Sequence, residues 1–254
     1  MKEELKCHKI RNFVKNKLIE GWTPQIIAGF LTLDSKKIKI SHESIYLYIY
    51  KKRPDLVQYL PRAHKKRFKR IPQSNKKNNR IPNRTPIDQR PEEINNRSEF
   101  GHWESDAIVS KQSKATLSVS VERVSKLVKI KKIKQNKADM FSKAIIRQMK
   151  PLPPWARRSI TYDNGSENTQ HELINDQLNT DSYFCNPYSS WEKGSVENMN
   201  GLIRRFLPKK TDFAKITHKR IKEIESLLNN RPRKCLGFKT PAQVFLEQSV
   251  ALAN

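Results

Sequence analysis

The sequence predicts an α/β domain preceded by a small all-α domain, and three observations lead there. Residues 116–121 alternate strictly, with Leu117, Val119 and Val121 set between Thr116, Ser118 and Ser120, the period of a β-strand. Before residue 60 the apolar residues instead recur at helical spacing, as in Ile10, Phe13, Val14 and Leu18. Between these regions, Pro61, Pro72, Pro82, Pro86 and Pro91 punctuate a cation-rich stretch with almost no apolar period, a composition that builds no core. The expected organisation is a helical domain over 1–60, a basic linker over 61–98 and an α/β domain over 99–254.

The elements follow in order. Gly21 ends the first helical run, and Thr23-Pro24 starts the next with a capping residue and a proline at the first helical position. Ile26, Ile27, Phe30 and Leu31 form its apolar face. Ser41 caps a third helix, with Ile45, Tyr48 and Ile49 on one side. Capped helices joined by a short connection in a basic context suggest a helix-turn-helix, whose second helix would present Ser41, His42, Glu43, Ser44 and Leu47 to a DNA groove. Strands are expected at Trp103–Val109, 116–121 and Leu127–Ile133, then a helix from Lys137 to Met149 stopped by Pro151. A short strand, Arg158–Tyr162, runs into the turn signal Asp163-Asn164-Gly165. A helix over Glu167–Leu178, a brief strand at Tyr183-Phe184 and helices at Ser195–Leu207, Thr217–Leu228 and Pro241–Leu252 complete the chain. Three strands, helix, strand, helix, strand, helix is the order of a ribonuclease-H-like, integrase-type α/β fold.

Composition narrows the partner. Among 254 residues, Lys and Arg total 51 against 25 acids, a net charge of +26. Solubility needs far less, so a polyanion is implied and nucleic acid comes first, because neutralised phosphates release counterions. The run His64 to Arg70, with Lys66, Arg67, Lys69 and Arg70, suits a phosphate backbone. No apolar stretch reaches the roughly 18 residues of a membrane helix, and the N-terminus lacks the apolar region of a signal peptide. Cys7, Cys185 and Cys235 are odd in number and contain no Cys-x-x-Cys. A cytoplasmic, nucleoid-associated protein with reduced thiols and no zinc site is expected.

Three acids stand apart from the solvated ones. Asp106 lies inside an apolar strand, where a charge is costly unless paired or metal-bound. Asp163 lies at the C-terminal end of a strand, the edge where α/β sites form. Glu197 lies on a helix whose buried stripe is Val196, Met199, Ile203 and Phe206, while Glu197, Asn200, Gly201 and Arg204 share a second, polar face. Phosphodiester cleavage needs an activated hydroxyl and a stabilised leaving oxygen, which two metal ions about 3.5–4 Å apart supply. Magnesium favours oxygen ligands, so Asp106, Asp163 and Glu197 are the expected ligands of two Mg2+ ions, with Mn2+ as a substitute. Three unrelated acids remain the alternative on spacing alone. Lys193, Arg204 and Arg205 flank Glu197 and are expected on phosphates. His102 is expected to be structural, and Trp191 either stacks on an unpaired base or packs on the following helix.

These residues also carry a resemblance. Gly101-His102-Trp103-Glu104-Ser105-Asp106 resembles the first catalytic block of the bacterial insertion-sequence family thirty transposases, and Tyr162-Asp163-Asn164-Gly165-Ser166-Glu167 resembles the second. The run from Pro187 through Trp191, Lys193 and Glu197 to Arg205 resembles the third, and thirty-three residues separate Asp163 from Glu197. Asn229 to Lys234 with Thr240-Pro241, and Trp22 to Ala28 with Ser41 to Tyr46, resemble the family's C-terminal and helix-turn-helix regions. The resemblance implies a DDE transposase that binds terminal inverted repeats and target DNA as a homo-oligomer and performs metal-dependent strand cleavage and transfer. Ser105, Ser110 and Asn186 depart from the family pattern, and members usually carry a further helical segment upstream. The alternative expectation is therefore a shortened, catalytically weak DNA-binding copy that represses. A host nuclease of the same fold is a third reading.

Overall fold

The chain is described here from a computed structural model, over residues 8–34, 40–61, 81–187 and 189–251. These fall into two compact units, divided at Ser74/Asn75 and again at Asn229/Asn230.

The first unit holds helices α1 (His8–Ile19), α2 (Pro24–Asp34) and α3 (His42–Lys52). Both expected caps form. Thr23 Oγ1 accepts from Ile26 N at 3.3 Å and Ser41 Oγ from Ser44 N at 3.1 Å, each satisfying an amide that a helix start leaves orphaned. Val14, Leu18, Ile27, Ile45, Ile49 and Leu56 make the core. The same unit includes residues 230–251, which the sequence assigned to the α/β domain. Arg231 donates from Nε to the carbonyl of Gly21 at 3.1 Å. The Phe238 ring lies so close to Gly29 that an added Cβ would stand 2.1 Å from it. Such long-range docking leaves no local period to read.

The second unit opens with a correction. Within the expected linker, residues 81–98 are packed: Ile81, Ile87 and Ile94 are buried, helix α4 spans Glu92–Asn95, and Pro86 bridges Phe184 in parallel. Three isolated isoleucines have no period, which is why the segment reads as coreless.

Strands β1 (His102–Val109), β2 (Thr116–Glu122), β3 (Val128–Ile133), β4 (Ser159–Tyr162) and β5 (Asp181–Phe184) form one sheet in the order β3-β2-β1-β4-β5. The first three are antiparallel; β4 pairs parallel to β1 and β5 parallel to β4. Helices α5 (Ala138–Met149), α6 (His171–Leu178), α7 (Gly194–Phe206) and α8 (His218–Asn229) complete the unit, and α9 (Pro241–Ala251) belongs to the first. Val196, Met199 and Ile203 of α7 and Ile221, Ile224 and Leu228 of α8 pack on Leu117, Val119, Val121, Val128 and Ile130. Burial of each such aliphatic side chain contributes about 1.5–3 kcal/mol. The expected helix over Glu167–Leu178 is broken: Ser166–Asn168 is a 3-10 turn and α6 begins only at His171. Asn168 Nδ2 is drawn back to the backbone and side-chain oxygens of Asp163 at 3.1 and 3.0 Å. Among the described residues no helix is long and apolar enough to cross a membrane.

Candidate active site

The sheet register brings two of the three expected acids together. His102 pairs with Ser159 and Glu104 with Thr161 across the parallel β1/β4 ladder. Continued at the same offset, that register sets Asp163 level with Asp106 on neighbouring chain segments, about 4.8 Å apart in the pairing direction. Alternation along β1 puts Glu104 and Asp106 on one face.

Between the aspartates lies Lys193. Its Nζ stands 3.2 Å from Asp106 Oδ1 and 3.1 Å from Asp163 Oδ2, and it donates to the Ser105 carbonyl at 3.1 Å. Its side chain is only 8% exposed. Lys193 was expected on DNA phosphates, and instead it is an internal counter-cation. Asn200 Nδ2 donates to Asp106 Oδ2 at 2.6 Å. Asp163 Oδ1 accepts from Gly165 N at 3.1 Å and from Asn168 Nδ2. Burial pushes the Asp106 carboxyl up and Asp163 adds to the rise, which Lys193 opposes without cancelling. For Asp163 burial acts in the same direction, but the charge and hydrogen bond of Lys193 prevail and hold it below the usual carboxylate range. Burial alone lowers a lysine, yet the two aspartates keep the Lys193 ammonium above its ordinary value. Burial outweighs the counter-charge at Asp106, whereas the counter-charges outweigh burial at Asp163 and Lys193.

Glu197 is not brought into this cluster. It is exposed on α7, and among the described residues no group of three His, Cys, Asp or Glu side chains is set to hold a metal ion. The helix that carries it is nevertheless fastened to the site. Glu104, wholly buried, accepts from Ser195 N and Val196 N at 2.8 and 2.9 Å through Oε2 and from Arg123 Nη1 at 2.7 Å through Oε1. A carboxylate on the orphaned amides of a helix start is favourable in both charge and hydrogen bonding. Sequence reasoning gave Glu104 no role; its signal was an acid two residues before Asp106, hence on the same face of the strand. Glu167 was missed too. Burial pushes its carboxyl up, and the charges of Asp163 and Asp106 add to the rise.

The donor chemistry suits a divalent ion. Two carboxylates converge on one position of concentrated positive charge, which the Lys193 ammonium takes, and such hard oxygen donors are those magnesium prefers.

The remaining expected residues separate. Arg204 Nη2 donates to the Val109 carbonyl at 2.8 Å, and its guanidinium lies over the Phe213 ring. Arg205 is half-buried. Ser41, His42 and Glu43 are exposed and Ser44 half-buried on the first unit. Lys66, Arg67, Lys69 and Arg70 lie outside the described residues. His102 is buried, with Nδ1 2.8 Å from Ser159 Oγ, a structural position. Trp191 is 73% exposed and does not pack as a core residue. Asn186 Nδ2 donates to the carboxylates of Asp88 and Glu192, at 3.2 and 3.3 Å, and so separates two acids.

Against known proteins the chain is 36% identical to the transposase of insertion sequence element IS4351 of Bacteroides fragilis, over 100% of this chain and 79% of that one. The chain belongs to the IS30 family of transposases. It is also 36% identical to the transposase InsI of IS30A from Escherichia coli strain K12, over 96% of this chain and 66% of the relative's length. No protein-family model matches. Among solved structures, the catalytic core domain of BIV integrase covers 61% of this chain and 99% of its own, at 22% identity and a TM-score of 0.46. The three blocks of the IS30-family resemblance fall on β1, on the turn after β4 and on the segment leading into and along α7.

Proposed function

We propose that this chain is a DDE-type DNA transposase, a polynucleotidyl transferase that cuts and joins DNA at the ends of its own element. The observation that carries the reading is the convergence of Asp106, on β1, and Asp163, just after β4, on the buried Lys193 ammonium. The two aspartates would hold magnesium, with manganese as a substitute, and Glu197 would complete the ligand set from α7. When bound, the ions supply an activated hydroxyl and charge stabilisation for the leaving oxygen. Asn200, Gly165 and Asn168 fix the carboxylate oxygens of Asp106 and Asp163, and Glu104 fixes the start of the helix that bears Glu197. Pre-set ligands of this kind lower the cost of reaching a reactive geometry.

The first unit would read terminal repeats as a helix-turn-helix, with Ser41, His42, Glu43 and Ser44 at the groove. Lys66, Arg67, Lys69, Arg70, Arg204 and Arg205 would contribute phosphate contacts. Joining two element ends calls for two copies on DNA, so a homo-oligomer in the bacterial cytoplasm is part of the proposal.

The test uses a labelled duplex carrying the DNA that flanks this gene, with magnesium or manganese and with Asp106→Asn as the control. Site-specific nicking or joining by the parent alone, dependent on metal, is the expected result. Binding without cutting by both proteins would overturn it in favour of a repressing, DNA-binding copy.

A further inference from the structure

Away from the aspartates, the second unit contains a cavity of about 440 Å³ between β3, α5 and α8. Its apolar floor includes Ile130, Ile133 and Ala144, while its rim carries Lys131, Lys134, Lys143, Arg147, His218 and Lys222, with no acid and no Trp, Tyr or Phe among the lining residues. Lys222 is committed to Glu225 Oε1 at 2.8 Å. Another lining residue, Lys132, is tied to the carbonyls of Ile216 and Ala214. Among the described residues no carboxylate pairs with Lys131, Lys134, Lys143 or Arg147, so four cations face one depression without compensation.

Lysines on a strand at the edge of a sheet often serve only to block pairing with another chain. That explanation is weak here. The β3 edge is already covered at Val128 by the Asn229 amide, which both accepts from its N–H and donates to its carbonyl, and at Ile130 by Glu225. It also leaves Lys143 and Arg147 unexplained. These two stand four residues apart on α5, a spacing at which like charges repel and weaken a helix. Such a clustering is relieved by an anion.

From this arrangement we infer a second DNA site: the cleft binds the phosphate backbone of a duplex segment distinct from the one at Asp106 and Asp163. The inference rests on the reading of the chain as a DNA enzyme only in taking DNA as the polyanion. A duplex is favoured over an unpaired strand because the lining holds no Trp, Tyr or Phe and only the single His218 imidazole, too little for a platform on which successive bases stack. It is favoured over a small anion because the free cations are long side chains spread along two elements, the pattern that neutralises a line of phosphates.

The experiment measures affinity for a short duplex of arbitrary sequence, without metal, over a series of salt concentrations. It compares the parent chain with a Lys143→Ala/Arg147→Ala double variant. A Lys111→Ala/Lys114→Ala variant, which removes two exposed cations elsewhere in the same unit, is the control for net charge. Each lost phosphate contact makes the slope of log affinity against log salt shallower by about 0.9. The slope is expected to fall by roughly 1.8 in the α5 variant and to stay at the parent's value in the control. An equal change in both variants, or in neither, overturns the cleft and leaves the transposase reading standing. A parent that binds no duplex removes both. Tight binding of inorganic triphosphate, lost in the α5 variant while its DNA slope is unchanged, would make this a small-anion site and overturn the inference.

Discussion

Glu104 joins the strand that bears Asp106 to the helix that bears Glu197, its carboxylate resting 2.8 Å from the backbone N–H of Ser195. The same carboxylate neutralises Arg123, whose side chain is 5% exposed. Removing the acid leaves a buried guanidinium unpaired and two helix amides without an acceptor. Glu104→Ala is expected to lose about 3–5 kcal/mol of stability, read as a lower urea midpoint. Amide exchange should rise at residues 194–197 more than at β2. A midpoint within about 1 kcal/mol of the parent's would show that water replaces the carboxylate and that the joint is unimportant.

Lys193 stands where positive charge is needed, and its removal should make that need visible. In Lys193→Met the aspartates face each other without a counter-charge. The metal-free protein should lose about 3 kcal/mol or more, and added magnesium should restore stability, since binding only the folded state at 100 times Kd contributes about 2.7 kcal/mol. The measurement is thermal melting with and without magnesium. A magnesium-induced shift no larger than the parent's would remove Asp106 and Asp163 as metal ligands.

Lys193 also marks where sequence reasoning stops. The strand over 116–121 was legible because its period is two, and Asp106 stood out because its neighbours are apolar. The α7 stripe was legible because Val196, Met199 and Ile203 recur at helical spacing. Nothing in the run around Glu197 says that Lys193 turns inward, since a lysine near a catalytic acid reads equally well as a phosphate ligand. The direction is set by Asp106 and Asp163, which lie 87 and 30 residues away in sequence and meet only through the sheet register. Phe238 and Arg231 are hidden for the same reason, because their partners Gly29 and Gly21 belong to the other end of the chain.

His102 gives a pH dependence of definite sign. Burial lowers its pKa from the ordinary 6.5, against the opposing pull of Glu99; the charges of Arg158 and Arg123 lower it further. A base with a depressed folded pKa binds its proton more readily in the unfolded chain. Above 6.5 the residue is neutral in both states and nothing is lost; as pH falls below 6.5 the unfolded state gains protons and the fold weakens. Urea unfolding at pH 7.5 and 5.0 should show the parent losing more stability than His102→Gln over that interval. Equal losses would mean that His102 charges as easily inside the protein as outside.

Trp191 is 73% exposed, whereas Trp22 and Trp103 are 5% and 0% exposed. So large an apolar surface beside the segment leading into α7 contributes little to the fold, and Trp191→Ala should leave stability within about 0.5 kcal/mol of the parent's. Its exposed ring suits an unpaired base. Stacking of one base on an aromatic ring is worth roughly 1–3 kcal/mol, so the variant should bind a duplex with a frayed or overhanging end some ten-fold or more weakly, with blunt-duplex affinity unchanged. With the half-buried Trp155 replaced by Phe, iodide should quench the Trp191 emission of the free protein and lose that access when an overhang is bound, because Trp22 and Trp103 are buried in either state. Equal weakening toward blunt and overhanging DNA would assign Trp191 to backbone contact instead, and undiminished quenching in the complex would take it off the DNA altogether.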